Sequence, residues 1–107
     1  MTPEEANAHL EACRGEIDDL DRQIVALLNA RAGVAARIGD IKQEAAMRVY
    51  EPKREDQVYQ NVVATNPGPL KGDALRRIYE RIMDEMRSLQ RDRMAGRQEA
   101  GLDRRNG

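Results

Sequence analysis

The chain has 107 residues, of which 40% are hydrophobic and 35% charged, and its formal net charge is −1. This length supports a single domain, and the near-neutral charge argues against nucleic acid as the main partner, because phosphate binding normally needs a clear basic excess. One cysteine excludes an intramolecular disulfide, and with a single histidine beside it we expect no metal site and no cofactor.

The first predicted element is a long helix from Thr2 to about Ala46. Thr2, Pro3 and Glu5 have the spacing of a capped helix start. The N-terminal segment is acidic and lacks the apolar run of a signal peptide, and no stretch is apolar enough to span a membrane. We therefore expect a cytoplasmic protein without membrane association. About 44 helical residues correspond to a length of roughly 65 Å.

Apolar residues recur along this helix in alternating steps of three and four. They are Leu10, Cys13, Ile17, Leu20, Ile24, Leu27, Val34, Ile38 and Ile41. This is a heptad pattern, typical of a helix packed lengthwise against other helices. Arg31 stands where the pattern calls for an apolar residue, and a buried guanidinium needs an anionic partner. Either a carboxylate of the protein pairs with Arg31, or the core holds an anionic ligand.

A second helix is predicted from Pro52 to about Thr65. Glu51 lies near its N-cap, and Pro52 suits its first turn. The following sequence, Asn66-Pro67-Gly68-Pro69, breaks the helix because proline and glycine disfavour helical continuation.

A third helix is predicted to begin near Gly72, with Asp73 as its N-cap, and to fade by Gly96. Residues 1–96 then form one all-α domain of three helices. Residues 97–107 contain further glycines, mixed charges and one large apolar residue, so we expect a disordered tail there.

The predicted lengths indicate an assembly of two chains. The second and third helices, roughly 21 Å and 35 Å long, together approximately match the first helix. A monomer would leave much of the apolar stripe uncovered. A homodimer in which two long helices pair, with the shorter helices alongside, would cover it.

Several polar residues lie on or beside the apolar faces of these helices. They are Arg14, Arg31 and Lys42 in the first helix, Glu51, Arg54 and Glu55 at the start of the second, and Gln90 late in the third. Taken singly, most of them are typical of surface or interhelical salt bridges. Taken together, they offer cations for a dianion, carboxylates for a hydroxyl group and one neutral amide donor.

With these residues in these positions, the chain resembles the all-helical chorismate mutases, the AroQ type. The resemblance covers roughly residues 8–92. It is carried by CRGEIDDLDRQIVALLNARAGVAARIGDIK, VYEPKRED, NPGPLKGDALRRIYERIM and the late Gln90. It is closest to the mutase domain often fused ahead of prephenate dehydratase, here expected in a free-standing form.

The resemblance implies an intertwined homodimer of three-helix protomers, with active sites built from both chains. Arg14 would reach across the interface to one carboxylate of chorismate, and Arg31 would bind the other within its own chain. Lys42 would contact a carboxylate and the ether oxygen. Gln90 would donate a hydrogen bond to the same ether oxygen from the opposite side.

The resemblance also assigns the residues around the substrate hydroxyl. Glu55 and the backbone near Glu51 would hold that hydroxyl, and Arg54 would lie close by and organise the site. Met86 falls at a substrate-binding position where many relatives carry a small or hydroxylic residue. Its thioether is a departure that removes a hydrogen bond to a carboxylate.

The implied reaction is the rearrangement of chorismate to prephenate in phenylalanine and tyrosine biosynthesis. It is unimolecular and needs no nucleophile, metal or proton relay. An alternative is isochorismate pyruvate-lyase of the same fold, which tends to lack the charged residues represented here by Arg54 and Glu55. A second alternative is a non-catalytic helical module. A partner enzyme of the shikimate pathway is a further expectation, since such enzymes associate with some mutase domains.

Overall fold

The computed structural model describes the backbone of residues 1–106 and the side chains of residues 1–98. Its helices are α1 (Pro3–Glu44), α2 (Pro52–Ala64) and α3 (Gly72–Asn106). The prediction of an all-α fold with one long first helix is therefore confirmed. The chain divides into two compact units, Met1–Gly33 and a second that begins at Val34. None of the described helices is long and apolar enough to cross a lipid bilayer.

The two ends of α1 are fixed by local hydrogen bonds. At the start, the backbone N–H of Glu5 donates to Thr2 Oγ1 at 3.1 Å, as the capping pattern predicts. At the end, the N–H of Ala46 donates to Gln43 O at 3.2 Å and that of Met47 to Lys42 O at 2.7 Å. This is a Schellman-type cap, in which Ala46 adopts a φ of 56°. The helix therefore ends at Glu44, within one turn of Lys42, and the chain turns at Ala46.

The second helix begins as predicted but without a side-chain cap. Glu51 is the N-cap residue and Pro52 follows it in the first turn, yet no side-chain hydrogen bond caps the helix. The Glu51 carboxylate is therefore free to reach another element. The break after α2 is also confirmed: Asn66 accepts from the Gly68 N–H at 3.0 Å and donates to Leu70 O at 2.7 Å.

The third helix differs from its prediction at both ends. Asp73 lies in its first turn rather than at the N-cap, since the Leu75 N–H already donates to Lys71 O at 3.0 Å. The helix continues to Asn106, well beyond Gly96. Mixed charged residues are good helix formers, which offsets the glycines there. The predicted disorder of residues 97–107 falls mainly on residues 99–107, which lie outside the described side chains, and it stays a prediction.

The buried residues among those described differ from the apolar residues of the heptad pattern. The buried residues of α1 are Ala35, Gly39 and Lys42, and Met83 and Gln90 are buried on α3. By contrast, the large aliphatic residues of the heptad pattern are exposed, from 43% at Ile38 to 69% at Leu27. Cys13 is exposed as well, so its predicted burial does not occur within the single chain. We call these heptad residues between Leu10 and Ile41, without Arg31, the α1 stripe.

Candidate active site

Lys42 is a buried cation in the last turn of α1. Its side chain is only 8% exposed, and its ammonium lies 2.6 Å from Glu51 Oε1. The same nitrogen donates to Val49 O at 2.8 Å. The turn at Ala46 brings both partners back to it. A lysine ammonium has three N–H donors, so one remains for a bound group.

Gln90 is a buried amide on α3 that is held against α1. Its Nε2 donates to Ala35 O at 2.7 Å, and the residue is 7% exposed. The backbone carbonyl can only accept, so this contact fixes which end of the amide faces α1. One N–H of the amide is used in this way, and the second is available to another acceptor.

Gly39 provides the space in which the Gln90 side chain lies. A methyl group on Gly39 would stand 2.8 Å from Gln90 Cγ and 3.1 Å from Gln90 Cβ. These atoms lie near the α3 backbone, so they cannot swing away as the tip of a flexible chain would. Gly39 also lies three residues before Lys42 and four after Ala35, on one face of α1. The glycine thus allows the close approach of α3 to the face of α1 that carries Lys42.

Glu55 lies one turn after Glu51, and it is paired with an arginine that the sequence did not single out. Arg87 forms a salt bridge to Glu55, with side-chain exposures of 20% and 18% respectively. Arg87 also pairs with Asp84, and its guanidinium carbon lies 5.5 Å from the centre of the Tyr50 ring. The hydrogen bond to Glu55 raises the pKa of the Arg87 guanidinium above its ordinary value.

Arg87 was missed because the carboxylate it pairs with is distant in sequence. The available signal was its position, four residues after Met83 and three before Gln90, which places it on the buried face of α3. A charged residue in that position needs an anionic partner, but the spacing does not say which one.

Arg54 and Met86 are more exposed than the buried pair Lys42 and Gln90. Arg54 is exposed and donates to Gln57 Oε1 at 2.8 Å. It lines an open surface depression along α2 whose other lining residues include Glu51 and Gln60. Met86 is half-buried.

The two other predicted cations belong to the unit Met1–Gly33. Arg14 is exposed and forms a salt bridge with Glu11 at 2.7 Å. Arg31 is half-buried. The salt bridges described within this unit are Arg14–Glu11 and Arg22–Asp19, and neither involves Arg31. The predicted roles of Arg14 and Arg31 in carboxylate binding remain predictions.

A pair of arginines on α3 holds the end of α1 from its exposed side. Asp40 accepts from Arg93 at 3.1 Å and pairs with Arg97 at 2.9 Å. The hydrogen bond from Arg93, with further contributions from Arg97, lowers the pKa of the Asp40 carboxyl below its ordinary value. These contacts join α1 and α3 beyond the Gln90 contact, towards the C-terminal end of α1.

Comparison with known proteins finds a family model that matches most of the chain. Residues 13–91 match the family described as chorismate mutase type II. The bifunctional chorismate mutase/prephenate dehydratase of Aquifex aeolicus is 36% identical over 86 residues, which is 77% of this chain and 24% of that protein. The enzyme of the same name from Neisseria gonorrhoeae is 37% identical over 78 residues, 73% of this chain and 21% of that protein. The chain thus spans about a quarter of the length of these curated relatives.

Solved structures give the same result for the fold. Chorismate mutase (form II) from Thermus thermophilus superposes with a TM-score of 0.76 at 30% identity, covering 78% of this chain and 94% of that one. Chorismate mutase from Helicobacter pylori in complex with prephenate gives a TM-score of 0.74 at 33% identity, with 79% and 92% covered.

Proposed function

Because this chain belongs to the type II chorismate mutase family, we propose that it converts chorismate to prephenate in the biosynthesis of aromatic amino acids. The observation that carries the proposal is the burial of Lys42 and Gln90, each with a donor left over. The similarity to a mutase in complex with prephenate supports the same substrate class. The enzyme would be an isomerase acting in the cytoplasm.

The proposed role of Lys42 and Gln90 follows from the charge that develops during the reaction. The rearrangement breaks a C–O bond and forms a C–C bond within one molecule. Since C–O cleavage runs ahead, negative charge builds on the ether oxygen. Hydrogen bonds from Lys42 and Gln90 to that oxygen would be stronger in the transition state than in the ground state, which is what accelerates the step.

The remaining residues would bind and orient the substrate. Arg14 and Arg31 would each take one carboxylate and hold chorismate in its compact, reactive conformation. Glu55 and the backbone near Glu51 would hold the hydroxyl, with Arg54 at the edge of the site and Met86 as an apolar wall.

The working form would be a homodimer in which Arg14 comes from the partner chain. The exposure of the α1 stripe supports this, because a run of Leu, Ile and Val this long is not stable facing water. The heptad spacing suits a second copy of the same helix. An enzyme that consumes or supplies shikimate-pathway intermediates would be a further partner.

The test is to incubate the purified chain separately with chorismate and with isochorismate. We expect prephenate from chorismate, measured as the loss of chorismate absorbance and by product chromatography. Release of pyruvate from isochorismate without prephenate from chorismate would instead identify a pyruvate-lyase. No turnover of either compound would identify a non-catalytic module.

A further inference from the structure

Arg87 connects three separate segments beside the proposed site. It pairs with Glu55 of α2 and with Asp84 of α3, and its guanidinium lies beside the ring of Tyr50 in the α1–α2 connection. Its side chain is 20% exposed. A side chain with this many contacts is fixed in position, unlike a surface arginine that samples many rotamers.

The pair leaves one oxygen of the Glu55 carboxylate free. Arg87 Nη1 donates to Glu55 Oε2, so Oε1 remains as an acceptor. An ionised carboxylate only accepts hydrogen bonds, which suits a hydroxyl donor. A glutamate side chain has several rotatable bonds, and holding it in one conformation before the substrate arrives removes an ordering cost from binding.

Arg87 is placed to act through Glu55 rather than by binding a substrate carboxylate itself. Two carboxylates already share the positive charge of its guanidinium, Glu55 at Nη1 and Asp84 at Nη2, which leaves less of that charge for a substrate carboxylate. A matching arrangement exists at the preceding turn, where the carboxylate of Glu51 is held by Lys42. Each carboxylate at the start of α2 is thus held by a cation from a different helix.

We propose that Arg87 is a positioning residue, which holds the Glu55 carboxylate in place as the acceptor for the hydroxyl of the substrate. This inference rests on the proposed mutase function and on the role of Glu55 within it. None of the bonds of the hydroxyl itself breaks or forms in the rearrangement, so we expect its hydrogen bond to the carboxylate to contribute about equally in the ground state and the transition state. Loss of Arg87 should therefore act on KM more than on kcat.

The test is a mutant cycle of R87M, E55Q and the double variant, assayed with chorismate. We expect R87M to raise KM about tenfold, as for the loss of one hydrogen bond to a charged group, while kcat stays within about threefold of wild type. In the E55Q background, R87M should raise KM no further. R87K keeps the charge but loses the planar fork, so its KM should lie between those of wild type and R87M.

The matched control is R81M, which removes an exposed arginine of the same helix that pairs with Glu85 at 2.8 Å. It should leave KM and kcat unchanged. In the double variant the Glu55 carboxylate is gone, and in R87K it keeps a cation beside it. Neither variant leaves an unpaired carboxylate, so both test the positioning role of Arg87 even if circular dichroism shows that R87M alone folds poorly. The positioning role would be overturned if R87M raised KM equally in the wild-type and E55Q backgrounds. It would also be overturned if the KM of R87M were as low as that of R81M. An inactive wild type would overturn the proposed function and this role together.

Discussion

The two units of the chain differ in the contacts that their polar and apolar side chains make. In Met1–Gly33, large apolar side chains such as Leu20 and Leu27 are exposed, and the described salt bridges are local ones within a turn of helix. In the unit that begins at Val34, Lys42 and Gln90 are buried and bonded across elements. The second unit therefore satisfies its buried polar groups by itself. The α1 stripe, which has exposed members in both units, is the surface that we propose a second copy covers.

The largest expected effect comes from placing a charge on the α1 stripe. Leu27→Glu should prevent dimer formation and abolish chorismate turnover, because pairing the stripes would bury an unpaired carboxylate in each copy at a cost of several kcal/mol. Sedimentation equilibrium at micromolar concentration should show the wild type as a dimer and the variant as a monomer or an unfolded chain.

The matched control is Asn29→Glu. It adds the same charge on the face of the helix opposite the stripe, where Asn29 bonds only to the backbone of its own turn among the contacts described. This variant should stay dimeric and active. A folded, monomeric wild type, or dimers of Leu27→Glu, would refute the role of the stripe.

A smaller effect is expected at Gly39, inside the second unit. Gly39→Ala would place a methyl group 2.8 Å from Gln90 Cγ, so the two helices must move apart or Gln90 must leave its place. We expect kcat to fall roughly 10- to 100-fold, because a shift of about 1 Å in a catalytic donor has costs of this order. Steady-state kinetics with chorismate would measure it.

Gly96→Ala on α3 serves as the control for this change, since a methyl group there would meet nothing within 4 Å. It should keep full turnover and stabilise the helix by about 0.5–1 kcal/mol. If Gly39→Ala behaved like Gly96→Ala, the close packing of Gln90 on α1 would have no part in catalysis.

The smallest effect concerns the exposed contacts of Asp40. Its pKa is lowered in the folded state, chiefly by the hydrogen bond from Arg93. The stabilisation is thus present above the ordinary pKa of an aspartate, about 3.9, and is lost as the pH falls through the lower folded-state pKa. Asp40→Asn should lower Tm slightly at pH 7, and the difference from wild type should shrink below pH about 4.

Asp92→Asn provides a comparison for Asp40, because Asp92 is an exposed aspartate of α3 with no salt bridge in the described part of the chain. Its Tm should match that of the wild type at both pH values. A pH-independent loss in Asp40→Asn would mean that the carboxylate stabilises the fold by something other than its charge.

The boundaries of α1 and α2 were predictable because the signals that set them are local. Pro3, Pro52 and the Asn66–Pro69 break act through the backbone conformation of their own residues, so the sequence contains the whole signal. The end of α3 was not predicted correctly, because the glycines that favour ending a helix compete with good helix formers between them.

The candidate site was predictable only in part, because its contacts cross between helices. The positions of Lys42 and Gln90 on the apolar faces, together with the family resemblance, predict that both belong to the site, and the structure shows that both are buried. Their hydrogen-bond partners are the backbone carbonyls of Val49 and Ala35. Every residue has such a carbonyl, so the sequence does not indicate which ones accept these bonds. Arg87 was missed for a related reason, since its pairing with Glu55 spans 32 positions of the chain.

The proposed catalytic role of the buried donors Lys42 and Gln90 is to stabilise the ether oxygen in the transition state. Its most direct test is the kcat of chorismate disappearance for Lys42→Ala and Gln90→Ala, with the exposed Lys71→Ala as control and the fold checked by circular dichroism. We expect each site variant to lose about 100- to 1,000-fold in kcat, or about 2.7–4 kcal/mol, and the control to lose nothing. Wild-type kcat in both folded site variants would show that neither donor stabilises the transition state.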